Sequence, residues 1–246
     1  MIRRWEEEEN LPLLGWDFSH IDGRWESPAL PWDYTAVVRE YLRDTDTLLD
    51  IGTGGGEVLL SLGHPHKNTS VTEAYPPNLE LCRNKLSPLG ITVAQTYDDD
   101  MLPFEDKSFD FIINRHESFF PSEVDRTLKS GGYFITQQVG NRNDRELAER
   151  LTDAFVPFFS AHRIENYADI FKGYGYRIIR AEEFHYPVKF FDVGALVFCA
   201  KAFVWEFIGF SVKSCLDRLF ECQREIEENG FIQGTQHRFL LAAQKP

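Results

Sequence analysis

The chain has 246 residues, 43% of them hydrophobic, and a formal net charge of −13. This length can bury one sizeable hydrophobic core. The excess of acidic residues disfavours a nucleic-acid partner, because such binding depends on Lys and Arg that neutralise phosphates.

Residues 1–45 are predicted to form an N-terminal cap. Residues 1–9 lack the apolar segment that a secretory signal needs. The cysteines of this chain are expected to be reduced thiols, which favours a cytoplasmic protein. Aromatic side chains are concentrated between residues 10 and 34, at Trp16, Phe18, Trp25, Trp32 and Tyr34. Such side chains either pack against the core or close over a ligand to exclude water, and both interpretations stay open.

A glycine-rich turn follows the first predicted strand, residues 47–51. Glycines at 52, 54 and 56 precede a predicted helix over residues 57–62, and glycine serves where the backbone turns sharply or a ligand approaches. A dinucleotide fingerprint would need glycine at position 57, where this chain has Glu57. The pattern favours a nucleotide-like ligand, with a tight structural connection as the alternative.

The rest of the chain continues to alternate strands and helices. The second strand, residues 70–74, contains Glu73, which lies 21 residues beyond Gly52, where an acid can hold ribose hydroxyls. Further strands are predicted at 91–95, 109–114, 133–139, 176–181 and 238–243, with helices at 76–86, 122–128, 164–172 and 211–228. This alternation predicts one α/β domain with a doubly wound, Rossmann-like sheet.

Three more motifs occur in order along residues 98–132. They are Asp98-Asp99-Asp100-Met101-Leu102-Pro103-Phe104, then Ser108-Phe109-Asp110 before an apolar strand, then Lys129-Ser130-Gly131-Gly132. With the glycine turn, these motifs resemble the class I S-adenosylmethionine-dependent methyltransferases of the type 11 group, although Ser130 stands where proline is usual. The resemblance implies a seven-stranded, mostly parallel sheet with an antiparallel last strand, and S-adenosylmethionine as cofactor.

The resemblance also implies cofactor-binding roles for individual residues. Asp50 and the loop of Gly52, Thr53 and Gly54 would face the methionine end, and Glu73 would accept hydrogen bonds from both ribose hydroxyls. Ala74 would pack on adenine, Asp98 and the Asp99 amide would bind its edge, and the Asn114 carbonyl would lie under the sulfonium.

Candidate catalytic residues follow the strand that ends at residue 114. His116 and Glu117 are each able to remove a proton from an acceptor if their pKa values suit the working pH. The alternative is a hydrogen-bonded loop in which Arg115 pairs with Glu117 or another neighbour.

Residues 184–210 form a second aromatic-rich segment, which we predict lines the acceptor pocket. Substitution of Phe190 or Phe191 by alanine would test this role. The alternative is that these aromatic side chains pack in the hydrophobic core. The segment contains the longest apolar stretch, residues 193–210, but Lys201 and Glu206 interrupt it and disfavour a membrane span.

The four cysteines have no C-x-x-C spacing and no histidine in ligand spacing, so we predict reduced thiols and no metal site. The sequence thus predicts a methyltransferase that uses S-adenosylmethionine and acts on a small-molecule acceptor. An rRNA or tRNA methyltransferase and a cofactor-binding protein without transferase activity remain alternatives, and a nicotinamide dehydrogenase is disfavoured. The oligomeric state is not predicted.

Overall fold

The computed structural model describes residues 1–12, 17–97, 101–152 and 160–246. Its strands are β1 (Trp25–Glu26), β2 (Leu48–Ile51), β3 (Thr69–Glu73), β4 (Thr92–Gln95), β5 (Phe109–Arg115), β6 (Leu128–Val139), β7 (Arg177–Phe190) and β8 (Ile232–Gln244). Its helices are α1 (Ile2–Glu9), α2 (Tyr34–Tyr41), α3 (Glu57–Ser61), α4 (Pro76–Lys85), α5 (Pro121–Thr127), α6 (Arg145–Leu151), α7 (Ile164–Gly173), α8 (Val193–Ala202) and α9 (Leu216–Asn229).

The strands follow the order β1-β7-β8-β6-β5-β2-β3-β4 across the sheet. The pairs β2–β3, β3–β4, β2–β5 and β5–β6 are parallel, and β8 runs antiparallel to β6, as predicted for the last strand. After β4 the chain returns to the other side of β2 to form β5. The strand order therefore reverses between β2 and β5, and ligands of doubly wound sheets bind in the crevice at such a reversal.

The predicted fold class is confirmed, but the sheet has eight strands rather than seven. The additional strand, β1, has only two residues and pairs antiparallel with the end of β7. Strand β7 also continues nine residues beyond its predicted end at 181, so the first part of the segment 184–210 is strand. In this part of the segment, every second position is apolar or aromatic, which is the period-two pattern of a strand. These positions are Phe184, Tyr186, Val188 and Phe190.

The described residues divide into two compact units. The sheet unit comprises residues 31–139, 162–183 and 238–246, and the second unit comprises residues 1–30, 140–161 and 184–237. The sheet unit has a core of strand residues covered by aromatic side chains. Phe134 of β6 lies 5.0 Å from Phe119 and 5.1 Å from Phe171 of α7 between ring centroids. The prediction of a single domain stays a prediction.

The second unit has its own core around α8, where residues 193–200 are all buried. Asp192 caps this helix by accepting a hydrogen bond from the Ala195 amide at 3.0 Å, and Arg24 binds both Asp192 oxygens at 2.7 and 2.8 Å. Phe190 is 3% exposed in this core, whereas Phe191 is 36% exposed. The packing of Phe190 matches the core interpretation, and the pocket-lining role of residues 184–210 stays a prediction.

All four cysteines are free and buried, as predicted. None of the described helices is both long enough and apolar enough to cross a membrane.

Candidate active site

The glycine turn between β2 and α3 is held in a left-handed backbone conformation. Gly52 and Gly54 have φ values of 69° and 60°, which side chains rarely adopt, so the spacing of these glycines has a conformational cause. The Gly52 amide donates to the Thr72 carbonyl at 3.1 Å. From α4, Cys82 donates to the Gly54 carbonyl at 3.0 Å and Lys85 donates to the Gly55 carbonyl at 2.8 Å. The turn is therefore preorganised by contacts from β3 and α4.

Glu73 ties the end of β3 to this turn. Its carboxylate accepts hydrogen bonds from the amides of Gly54 at 2.9 Å, Ala74 at 3.0 Å and Tyr75 at 2.9 Å, and the side chain is only 3% exposed. An ionised carboxylate offers about four lone-pair positions. One position therefore stays available for a ligand hydroxyl while the three backbone bonds persist.

Asp50 lies buried at the end of β2, beside Glu73. Burial, together with the negative charge of Glu73, raises the pKa of Asp50 to about 7. The Thr53 hydroxyl is near enough to lower this pKa somewhat, yet it is buried without a hydrogen bond of acceptable geometry to any described residue. Among the described residues, Asp50 thus has no ion pair and the Thr53 hydroxyl has no hydrogen-bond partner.

A cleft with about 340 Å³ of empty space, its open mouth included, lies beside these strand ends. It is lined by Ile51, Gly52, Thr72, Ala74, Thr96, Leu102, Glu117, Phe119, Phe120 and Glu123. A Cβ atom on Gly52 would overlap the Glu117 side chain, so Glu117 lies directly over the glycine turn. The predicted adenine contact Ala74 borders this cleft, whereas Asp98 and Asp99 lie outside the described residues.

Asn114 is fully buried at the end of β5 and joins three strands. Its side-chain amide donates to the Ile51 carbonyl of β2 at 3.1 Å, and its Oδ1 accepts from the Thr136 hydroxyl of β6 at 2.9 Å. The Asn114 backbone carbonyl accepts the Tyr34 hydroxyl at 3.1 Å. Tyr34 therefore reaches the strand end that the sequence assigned to the sulfonium side.

A hydrogen-bonded relay of Trp32 and Gln137 holds His116 just after the end of β5. The Trp32 indole donates to Gln137 Oε1 at 2.8 Å, and Gln137 Nε2 lies 2.9 Å from His116 Nε2. His116 has a φ of 63°, which is uncommon for a residue with a side chain, and its amide donates to the Gln137 carbonyl at 2.9 Å. The relay thus constrains both the ring and the backbone of His116.

The charge state of His116 follows from its surroundings. Although His116 is partly exposed, the protein atoms around its ring desolvate it and lower the pKa of His116 well below its ordinary value. The positive charges of Arg238 and Arg115 lower it further. The imidazole is therefore neutral at physiological pH.

The structure brings most of the predicted cofactor residues together at the carboxyl ends of β2, β3 and β5. These are Asp50, Gly52, Thr53, Gly54, Glu73, Ala74 and Asn114. It also places the two candidate bases differently, because Glu117 lies over Gly52 whereas His116 is bound to Gln137. The partners Tyr34 and Gln137 were missed as site residues, and the only sequence signal for Tyr34 was the aromatic content of residues 10–34.

The fold is that of a Rossmann-like domain, with acidic side chains and a glycine turn at the reversal between β2 and β5. Residues 49–136 match the family model described as a methyltransferase domain. The chain is 30% identical over 127 residues to the fatty-acid O-methyltransferase of Mycolicibacterium smegmatis, in a match covering 48% of this chain and 46% of that protein. It is also 30% identical over 108 residues to a tRNA (guanine-N(7)-)-methyltransferase of Shewanella frigidimarina, covering 41% of this chain and 44% of that protein.

A solved structure shares the fold over nearly the whole chain. A SAM-dependent methyltransferase from Aquifex aeolicus superposes with a TM-score of 0.51 at 17% identity, covering 94% of this chain and 99% of that one. Residues 49–136 thus match the methyltransferase family that the sequence motifs resemble, which confirms the predicted family over this segment. The solved structure supports the fold. The matches span less than half the length of both named sequence relatives.

Proposed function

We propose that this protein binds S-adenosylmethionine and transfers its methyl group to a small-molecule acceptor. The observation that carries this proposal is the joint anchoring of the glycine turn and Glu73, which places Asp50, Gly54 and Glu73 at neighbouring strand ends. This arrangement supplies acids for a cationic amino-acid moiety and a ribose, together with a backbone that a ligand is able to approach closely.

The residues fit the cofactor in three respects. The Thr53 hydroxyl is buried without a good partner among the described residues, and Asp50 is buried without an ion pair there. No described atom lies within 4 Å of the position that a Cβ on Gly54 would take, so a ligand has room beside that backbone. The methionine ammonium would bind Asp50, a ribose hydroxyl would bind Glu73, and adenine would pack near Ala74.

Bound S-adenosylmethionine supplies an already activated methyl group, so the protein mainly aligns the reactants and excludes water. Tyr34 fixes the orientation of the Asn114 carbonyl, which we assign to the sulfonium side. Where the acceptor must lose a proton, we propose Glu117 rather than His116 as the base. The reason is that the Nε2 lone pair of His116 already accepts a hydrogen bond from Gln137.

The small-molecule class is supported by the net charge of −13, which weakens attraction to polyanions. It is also supported by the similarity to a fatty-acid O-methyltransferase. A tRNA acceptor is the second candidate, because one relative of comparable identity is named a tRNA methyltransferase.

Isothermal titration calorimetry tests the cofactor assignment. We expect S-adenosylmethionine and S-adenosylhomocysteine to bind, and NAD⁺ to bind much more weakly or not at all. Binding of NAD⁺ in preference to both would refute the assignment. Methyl transfer from radiolabelled cofactor to a fatty-acid panel and to bulk tRNA then distinguishes the acceptors, and labelling of tRNA alone would overturn the small-molecule class. Cofactor binding without transfer to either class would favour a binding protein.

A further inference from the structure

Two arginines project from one face of the sheet beside His116. Arg115 at the end of β5 pairs with Gln137 of β6, and Arg238 of β8 pairs with Val139 of the same strand. Directly paired residues share a face of a sheet, as do residues two apart on one strand. Arg115 and Arg238 therefore point to the same side, and we call Arg115, His116 and Arg238 the basic cluster.

The Arg115 guanidinium has no anionic partner among the described residues. No carboxylate or carbonyl in the described part of the chain accepts a hydrogen bond from its guanidinium. Desolvation lowers the pKa of Arg115, although part of the side chain is exposed, and nearby Arg238 lowers it further. Partly desolvated charges are normally paired, and a guanidinium stays protonated in proteins, so this side chain is suited to an external anion.

The relay of Trp32 and Gln137 determines which ring nitrogen of His116 carries the proton. Trp32 is only able to donate, so it fixes Gln137 Oε1 toward itself and the Gln137 amide hydrogens toward His116. His116 Nε2 must then accept, which places the proton of the neutral ring on Nδ1. Among the described residues Nδ1 has no hydrogen-bond partner, so His116 presents an N–H donor beside the two guanidinium groups.

We propose that the basic cluster binds a carboxylate of the acceptor, with Arg115 and Arg238 as its ion-pair partners and His116 Nδ1–H as an additional donor. This inference rests on the proposed function, because it names the acceptor class of the same site. Arg115 directly follows Asn114, so the bound carboxylate would lie close to the strand end assigned to the sulfonium. Guanidinium groups match the planar geometry of a carboxylate.

The charged groups around Arg115 have both signs. The two arginines contribute two positive charges, and Asp50, which interacts with Arg115 through space, contributes one negative charge when ionised. Tyr34 and His116 are neutral near pH 7, because burial raises the pKa of Tyr34 well above 10 and desolvation lowers that of His116. A bound carboxylate would neutralise the charge of Arg115, which has no anionic partner among the described residues.

Calorimetry with octanoate, octanamide and inorganic phosphate tests the site, on protein alone and saturated with S-adenosylhomocysteine. We expect octanoate to bind about tenfold or more tightly than octanamide, as charge-assisted pairing predicts. Arg115→Gln and Arg238→Gln should each remove most of this preference. Arg83→Gln, the same change on the exposed surface of α4, should preserve it.

Several results would overturn the carboxylate site. These are equal binding of octanoate and octanamide, an equal loss of octanoate affinity in Arg83→Gln, or tighter binding of phosphate than of octanoate. If wild-type protein does not bind S-adenosylhomocysteine, the proposed function fails. If it binds S-adenosylhomocysteine but does not distinguish octanoate from octanamide, only the carboxylate site fails.

Nuclear magnetic resonance of the imidazole nitrogens tests the role of His116 separately. Wild-type protein at pH 7 should show a neutral His116 with the proton on Nδ1. Trp32→Phe should release the Gln137 amide and shift the population toward the Nε2–H tautomer. A cationic ring, or an Nε2–H tautomer in wild-type protein, would contradict the assignment of His116 as a donor to the carboxylate.

Discussion

Substitution of Glu73 by glutamine tests the cofactor site most directly. The change preserves shape but replaces an acceptor of three backbone hydrogen bonds by one carbonyl oxygen and one amino group. If the oxygen keeps the amides of Ala74 and Tyr75, the amino group faces the Gly54 amide, so that donor meets donor. At least one charge-assisted hydrogen bond is lost, and Gly54 is free to leave its binding conformation.

The expected loss of affinity follows from the loss of at least one charge-assisted hydrogen bond. A hydrogen bond to a charged group contributes about 1.5–3 kcal/mol, which corresponds to about a 10- to 150-fold weaker affinity for S-adenosylmethionine if the loop must reform on binding. The same loss in the free protein should lower its melting temperature by about 3–12 °C for a chain of this size. Glu73→Ala, which removes all three bonds, should weaken binding at least as much.

Calorimetry with S-adenosylmethionine and thermal unfolding, measured on the same samples, provide the assay. Glu80→Gln is the matched control, because Glu80 is an exposed glutamate on α4. The control should bind like wild-type protein. If Glu73→Gln is folded and binds S-adenosylmethionine within about twofold of the control, the ribose and loop-anchoring roles of Glu73 are wrong.

Three further predictions follow from the same structure. Because burial raises the pKa of Asp50 to about 7, affinity for S-adenosylmethionine should increase as pH rises from 6 to 7.5, and Asp50→Asn should remove this dependence in calorimetry. This folded-state pKa lies above the unfolded value of 3.8, so the free energy of unfolding of the ligand-free protein should decrease as pH rises from about 4 to about 7. A free energy of unfolding that does not change over this range in urea titrations would contradict the burial argument. Gly54 and Gly63 have similar φ values of 60° and 69°, and a Cβ atom on either would lie in open space. Gly54→Ala and Gly63→Ala should therefore each reduce stability by about 1–3 kcal/mol, but only Gly54→Ala should weaken cofactor binding. Phe190→Ala should cost about 3–5 kcal/mol in urea unfolding because Phe190 is core, whereas the more exposed Phe191→Ala should cost much less; similar costs would show that burial does not distinguish the two.

The sequence determined the parts of this protein that depend on local chemistry. Glycines at 52 and 54 predicted a sharp turn because few other residues tolerate a positive φ, and both glycines have one. The alternation of apolar runs with helical segments predicted the parallel sheet, because it leaves crossover helices as the connections. Acidic residues at the ends of two predicted strands, Asp50 and Glu73, predicted the edge of the sheet at which the cofactor would bind, since the carboxyl ends of parallel strands lie at the same edge.

Only the tertiary structure decided which side chains meet across the fold. Gln137 lies 105 residues from Trp32, and Asn114 lies 80 residues from Tyr34, so no local pattern relates these partners. The proton position on His116 depends on the Gln137 amide, whose orientation the distant indole decides. The donor and acceptor roles in this relay depend on which strand lies beside the N-terminal segment. That placement is set by the whole fold and cannot be read from any one segment.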